Sequence, residues 1–250
     1  MGKDIIETVI DWIRESKRII VLTGSELSVE SGVPDFSDPE INPNINDFRT
    51  NRNVRAQYWK KIKELYPALA EAKPNPAHEA LAELEMFGNL DSIFTQTTDG
   101  LHQRAGSFSV MELNSTILWV ICTSCGKDYR IDEILFSLEK GKEVPECELC
   151  GRDILKPPIS FPGQPPSHWE VREAWMRLRN CDLFLVVGSS LDTQPVSSFP
   201  TLAKESGAKV VIISEREGTA DDYADAVIYG KPSHVLPYLI KRVKEGITLS

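Results

Sequence analysis

Five short, largely apolar runs constrain this chain most: Ile19–Leu22, Ser92–Thr95, Leu183–Val187, Val210–Ile213 and Ala226–Ile228. None alternates polar with apolar positions, and such runs suit strands buried on both faces of a parallel sheet. Between and around them lie helical patterns at residues 4–15, Ala77–Phe87, Ser167–Arg179, Phe199–Ser206 and Ser233–Lys244. Apolar strands alternating with amphipathic helices predict βαβ units and an open α/β sheet with helices on both faces.

Two stretches break the alternation. Residues 38–73 open as a polar loop with Asn and Pro and turn helical around Val54–Ala72. Residues 116–160 carry two cysteine pairs among short β-like pieces and prolines. Both read as insertions forming a second, smaller lobe, which leaves 1–37, 74–115 and 161–250 for the sheet domain. No internal repeat or low-complexity tract interrupts this plan.

The cysteines fall at 122, 125, 147, 150 and 181. Cys122 and Cys125, and likewise Cys147 and Cys150, are two residues apart, so one tight turn can present both sulfurs of a pair to a tetrahedral ion. A gap of 21 residues separates the pairs, just above the usual zinc-ribbon spacing of roughly 15–20. Gly126 and Gly151 follow each pair, where a metal knuckle needs a backbone without Cβ. Four buried reduced cysteines would not explain two matching CxxCG units. A structural Zn²⁺ does, and four thiolates leave it no open position for chemistry. Cys181, at the start of an apolar run, reads as a core thiol.

After the first run comes Thr23-Gly24-Ser25-Glu26-Leu27-Ser28, a strand-to-loop-to-helix turn of the kind that offers N–H groups to a phosphate. It lacks the G-x-G-x-x-G fingerprint, so alone it is a weak nucleotide signal. Taken with three other segments it becomes specific. Leu22–Phe36 resembles the sirtuin loop T-G-A-G-I-S-x-x-S-G-I-P-D-F. Thr95–Gly106 resembles T-Q-N-I-D-G-L-H-x-x-A-G, and Val187–Leu191 with Pro195-Val196 resembles V-G-T-S-L…P-V. The four-cysteine segment sits where sirtuins carry a zinc module.

The resemblance implies a Rossmann-like domain with a smaller inserted zinc-ribbon and helical lobe, and NAD plus an acyl-lysine peptide meeting between them. It implies NAD-dependent protein-lysine deacylation, or in some members ADP-ribosyl transfer. In that reaction the acyl oxygen attacks the nicotinamide ribose, and a histidine then takes a proton from a ribose hydroxyl. By position, Asp99 matches the residue that holds the nicotinamide amide, Gln96 a ribose contact, and Phe36 the ring over the reacting sugar carbon. Gly24 and Ser28 match the phosphate loop, Gly188 and Ser190 the nucleotide-contacting turn. Phe161 and Gly163 match the peptide-binding strand.

The departures cluster on the same parts. The family's V-x-E-L-H-G reads Val110-Met111-Glu112-Leu113-Asn114-Ser115, so Asn114 stands in place of the catalytic histidine. A carboxamide does not titrate near neutrality. Glu26 replaces the second loop glycine, Ser37 an arginine, Thr97 an asparagine at the nicotinamide ribose, and Ser214 an asparagine near the adenosine ribose. Pro162 interrupts the peptide strand and has no N–H to donate. His78 and His102 match positions that hold histidine in the family and do not stand in for the missing base.

Function therefore divides between two expectations. One is an NAD-consuming enzyme, as a weak deacylase, an ADP-ribosyltransferase or an NAD hydrolase. The other is a silent sirtuin fold that binds a nucleotide or partner. With 28 basic against 37 acidic residues, net charge −9 argues against nucleic acid as partner. Charges scattered through the first twenty residues, and no apolar run near the roughly 18 residues that span a bilayer, point to a cytoplasmic, non-membrane protein.

Overall fold

A computed structural model describes residues 4–34, 36, 41–164 and 168–247. In chain order the elements are α1 (Ile5–Glu15), β1 (Ile19–Thr23), α2 (Ser25–Glu30), α3 (Ile45–Thr50), α4 (Arg52–Glu71), α5 (Pro76–Met86), β2 (Leu90–Thr95), α6 (Leu101–Arg104), β3 (Val110–Glu112), β4 (Trp119–Cys122), β5 (Asp128–Arg130), α7 (Ile131–Glu139), β6 (Leu155–Lys156), α8 (His168–Leu178), β7 (Leu183–Val187), α9 (Phe199–Glu205), β8 (Lys209–Ser214), β9 (Ala226–Tyr229) and α10 (Pro232–Ile247). Six strands form one sheet in the order β3-β2-β1-β7-β8-β9, parallel throughout.

Alternation along each strand divides the sheet's apolar side chains between two helix layers. Ile19, Val21, Leu183, Leu185, Val211 and Ile213 pack with α1, α5 and α10. Ile20, Leu22, Phe184, Val186, Val210 and Ile212 pack with α8 and α9. Both faces are thus covered, as the unbroken apolar runs predict. Local chemistry starts the helices: Asp4 accepts from the Ile6 N–H at the head of α1, and Asn75 and His78 form a capping box on α5 with Pro76 in its first turn.

Four elements escape the sequence reading, among them the four-residue α6. β3 is a three-residue edge strand, too short to register as a run, paired through Ile93 and Val110. α3 lies inside the stretch expected to be loop. α7 lies inside the cysteine segment, with Ile131, Ile134, Leu135 and Leu138 buried along one side.

A third core joins residues far apart in sequence. Ile45, Phe48, Tyr58, Trp59 and Ile62 of α3 and α4 pack with Val120, Tyr129, Ile134, Leu138 and Leu155 of the cysteine segment. Arg55, buried, donates Nη2 to both carboxylate oxygens of Asp153 at 2.9 and 3.0 Å, crossing between the same two stretches. A three-stranded antiparallel sheet, β5-β4-β6, carries the cysteines.

The two knuckles repeat one hydrogen-bond pattern. Cys122 N–H donates to Lys127 O, and Gly126 N–H to Cys122 O. Cys147 N–H donates to Arg152 O, and Gly151 N–H to Cys147 O. Gly126 (φ 79°) and Gly151 (φ 70°) take the left-handed turn. The four sulfurs lie within 4.8 Å of one another, with Cys122–Cys150 and Cys125–Cys147 at 3.6 Å. Tetrahedral zinc at about 2.3 Å from each sulfur needs S···S of about 3.8 Å, close to the two 3.6 Å pairs. Tyr129 O–H donates to Cys147 Sγ and accepts from Glu148 N–H, fixing the second knuckle.

Two histidines are buried under the carboxyl end of β1. His102 Nε2 lies 2.9 Å from Thr23 Oγ1, and its ring centroid is 4.8 Å from that of His78. Nε2 of His78 and Nδ1 of His102 have no hydrogen-bond partner among the described residues. Burial pushes His78 down to about 4 and His102 well below the ordinary value, the latter also through His78. Both rings are therefore neutral at pH 7.

Two outcomes follow from this packing. The unfolded chain takes up protons near pH 6.5 and the folded His78 only near pH 4. Stability is therefore fully present above about pH 6.5 and falls, by on the order of 3 kcal/mol from His78, as pH drops to about 4. Urea unfolding at pH 7 and pH 5 reads this slope, and His78→Gln should flatten it. The purified chain should also carry one zinc by atomic absorption, and Cys122→Ser with Cys125→Ser should lose the metal and lower Tm by several degrees.

Candidate functional site

β1 is hydrogen-bonded to β2 on one side and β7 on the other. The chain runs outward in opposite directions from there, so the crevice at the carboxyl ends of β1 and β7 is a topological switch point. A cleft of about 530 Å³ opens at this place. Its floor comes from the loops after β1 (Ser25, Ser28), β2 (Gln96, Thr97, Asp99) and β7 (Ser189, Ser190). Its far wall comes from Phe36, Asn42 and residues 159–164.

Of the residues marked from sequence, Ser28, Phe36, Gln96, Asp99, Asn114, Phe161, Gly163 and Ser190 line this cleft together. Gly24 and Gly188 do not line it and instead pack against each other behind it. A Cβ on Gly24 would lie 2.3 Å from Gly188 O, and Gly188 turns the chain at φ 61°. Ser37 lies outside the described residues.

Asp99 is buried and accepts from Ser28 Oγ at 2.5 Å and from Leu101 N–H at 2.8 Å. A carboxylate has about four acceptor sites, so two donors leave capacity for a ligand amide. Gln96 is held by Ser189, whose Oγ donates to Gln96 Oε1 at 2.6 Å. Thr97 turns its hydroxyl to Thr95 Oγ1 at 2.8 Å and is buried. Phe36 is fixed through its carbonyl, which accepts from Asn42 Nδ2 at 2.7 Å.

Asn114 follows β3 and is exposed on the cleft. Its Nδ2 donates to Gln96 O at 2.8 Å, so the carboxamide is anchored with its amide end inward. Ser115 next to it takes φ 62°, a left-handed conformation that costs a side-chain-bearing residue roughly 1–2 kcal/mol. The turn thus keeps a glycine-like shape without the glycine.

The wall at 159–164 is held from behind. Lys156, buried, donates Nζ to Pro157 O and Ile159 O at 2.7 Å each and lies 4.4 Å from the Phe161 ring centre. Burial lowers its amine to about 8. Phe161 packs edge-on against Phe48 at 5.2 Å and at a tilt against Tyr58 at 5.1 Å. The segment closes as a turn: Gln164 N–H donates to Phe161 O, Gln164 Oε1 accepts from Phe161 N–H, and Pro162 O accepts from Ile45 N–H.

Sequence reasoning missed Ser189, Asn42 and Lys156. Ser189 stood inside a recognised motif. The other two carried no signal, because each acts on nearby backbone carbonyls, Asn42 on Phe36 and Lys156 on Pro157 and Ile159, which no motif marks.

Glu26 is displaced from the cleft. Its carboxylate accepts from Ser214 Oγ at 3.2 and 3.3 Å and from Glu215 N–H at 3.4 Å, linking the loop after β1 to the loop after β8. Two departures read separately from sequence are therefore bonded to one another.

Comparison with known proteins agrees with this geometry. Residues 24–195 match the Sir2 family. The chain is 38% identical to NAD-dependent protein deacylase 2 of Archaeoglobus fulgidus, over 97% of each protein. It is 37% identical to NAD-dependent protein deacetylase 1 of Pyrobaculum aerophilum, over 96% of each. Among solved structures, Sir2 with a p53 peptide and NAD+ is similar at TM-score 0.84 and 32% identity, over 98% of this chain and 99% of that one. Sir2Af2 bound to a myristoylated histone peptide is similar at TM-score 0.82 and 33% identity over the whole of both. This chain belongs to the Sir2 family, the sirtuins.

Proposed function

We propose that the cleft is a nicotinamide-nucleotide site inherited from NAD-dependent protein deacylases, with deacylation by this chain weak or absent. The observation that carries this is Asn114, on the cleft where the family reaction needs a base, with its carboxamide tied to Gln96 O. An amide neither accepts a proton near neutral pH nor, so anchored, swings free to be replaced by water.

The donor set suits the nicotinamide end of the nucleotide. Asp99 has open acceptor sites for the carboxamide, Gln96 and Ser190 offer polar groups to a ribose, and the Phe36 ring lies against the same space. When bound, such a nucleotide supplies the glycosidic bond that the family reaction consumes. The chain's own residues bind and orient it, and no titratable side chain at position 114 removes a proton.

The peptide side supports the same reading. A peptide added as a strand needs free N–H and C=O groups on the receiving edge. Here Phe161 N–H, Phe161 O and Pro162 O are already bonded, and Pro162 has no N–H. This favours a ligand-binding role over protein deacylation.

Incubation with NAD and an acetyl-lysine peptide tests the reading. The unmodified chain should give no measurable deacetylated product, and Asn114→His should raise product formation by about 10²-fold or more, the usual worth of a positioned base. Robust NAD-dependent deacylation by the unmodified chain overturns the proposal. Nicotinamide release without peptide would indicate NAD hydrolysis or ADP-ribosyl transfer instead.

A further inference from the structure

We propose that the Glu26–Ser214 bridge is a specificity device: it closes the β7–β8 half of the crevice to a diphosphate, so that the cleft takes a nicotinamide nucleoside in preference to the intact dinucleotide. This rests on the reading of the cleft as a nicotinamide-nucleotide site.

Three observations converge on it. The first is position. Glu26 leaves the loop after β1, passes Gly188 at the end of β7 and ends on Ser214 at the end of β8. It thus lies across the carboxyl ends of three neighbouring strands, where an α/β sheet binds the phosphates of a nucleotide. A Cβ built on Gly188 would come within 2.8 Å of Glu26 Cβ, so the two loops are already in contact there.

The second is the fate of the donors. A diphosphate is held by unpaired backbone N–H groups in this loop. Here Gly24 N–H donates to Val187 O at 3.0 Å, Glu26 N–H to Gly188 O at 3.2 Å and Leu27 N–H to Gly24 O at 3.3 Å. Ser214 Oγ and Glu215 N–H are given to the Glu26 carboxylate. Both partners are neutral groups, so neither supplies a positive charge to set against a diphosphate.

The third is the shape of the cavity. The cleft is lined by residues of the loops after β1, β2 and β7 but by none of Gly24, Glu26, Gly188 or Ser214. Ser25, Ser189, Ser190 and Thr193 line its β1–β7 side, beside Gln96 and Asp99. The open volume therefore stops short of the Glu26–Ser214 bridge on the β7–β8 side.

Isothermal titration calorimetry of the full chain with nicotinamide riboside, NAD and ADP-ribose tests this. The unmodified protein should bind the riboside at least about tenfold more tightly than NAD, with ADP-ribose weaker still. Glu26→Gly should tighten NAD and ADP-ribose by about tenfold or more and leave the riboside within about twofold. Glu26→Gln keeps the side chain's length and removes its charge, so it reports on the anion effect even where the glycine variant folds poorly; it too should tighten NAD. Equal NAD affinity in the unmodified chain and both variants overturns the bridge's role while leaving the cleft assignment standing. Failure of all three ligands to bind any of the three proteins overturns the nucleotide reading itself, and the bridge with it.

Discussion

Everything functional in this molecule hangs on β1. It is the strand with partners on both sides that also marks the reversal of strand order, and it is buried on both faces. That burial fixes Thr23 and Gly24 with little freedom, and through them α2, which carries Ser25, Glu26 and Ser28. β7, registered residue by residue against β1, and β2, in continuous register from Ile20–Ser92 onward after an irregularity at Ile19, bring Gln96 and Gly188 to the same level. A shift of one residue in either pairing would separate Asp99 from Ser28 and Ser189 from Gln96. The cleft is precise because the close-packed sheet beneath it leaves little room to absorb such a shift.

The departures from the family pattern are not scattered in space. Asn114 bonds to the Gln96 backbone, Gln96 to Ser189, and Glu26 to Ser214 across Gly188. The turn at 161–164 bonds to itself and to α3. Asn114, Thr97, Glu26 and Ser214 have each found a partner inside the protein. Buried or half-buried polar groups left unpaired are expensive, typically about 1–3 kcal/mol each. Such pairing makes polar groups around the cleft part of the structure that surrounds it.

The sheet was legible in the sequence because its signal is additive along each strand: Leu183–Val187 or Val210–Ile213 can be read without knowing their neighbours. The cysteine knuckles were legible because their geometry is local and repeated. β3 was not, since a three-residue edge strand owes its conformation to β2 and not to its own composition. α7 was masked by the cysteines around it. At the site, Asp99, Gln96 and Phe36 were legible through order along the chain. The Glu26–Ser214 contact was not, because it joins two positions that sequence shows only as separate substitutions, and neither residue type predicts the other. Lys156 likewise gives no sign in sequence that its amine grips two carbonyls behind the cleft wall.

The pairing of β1 with β7 also sets how the chain comes into being. Ile19 meets Leu183, a partner made roughly 160 residues later in synthesis. At about 5–20 residues per second, β1 emerges and waits on the order of ten seconds before that neighbour exists. For that interval an apolar strand destined for the centre of a sheet has an open edge. The nascent chain is thus most exposed to wrong pairing at the segment on which its finished architecture most depends.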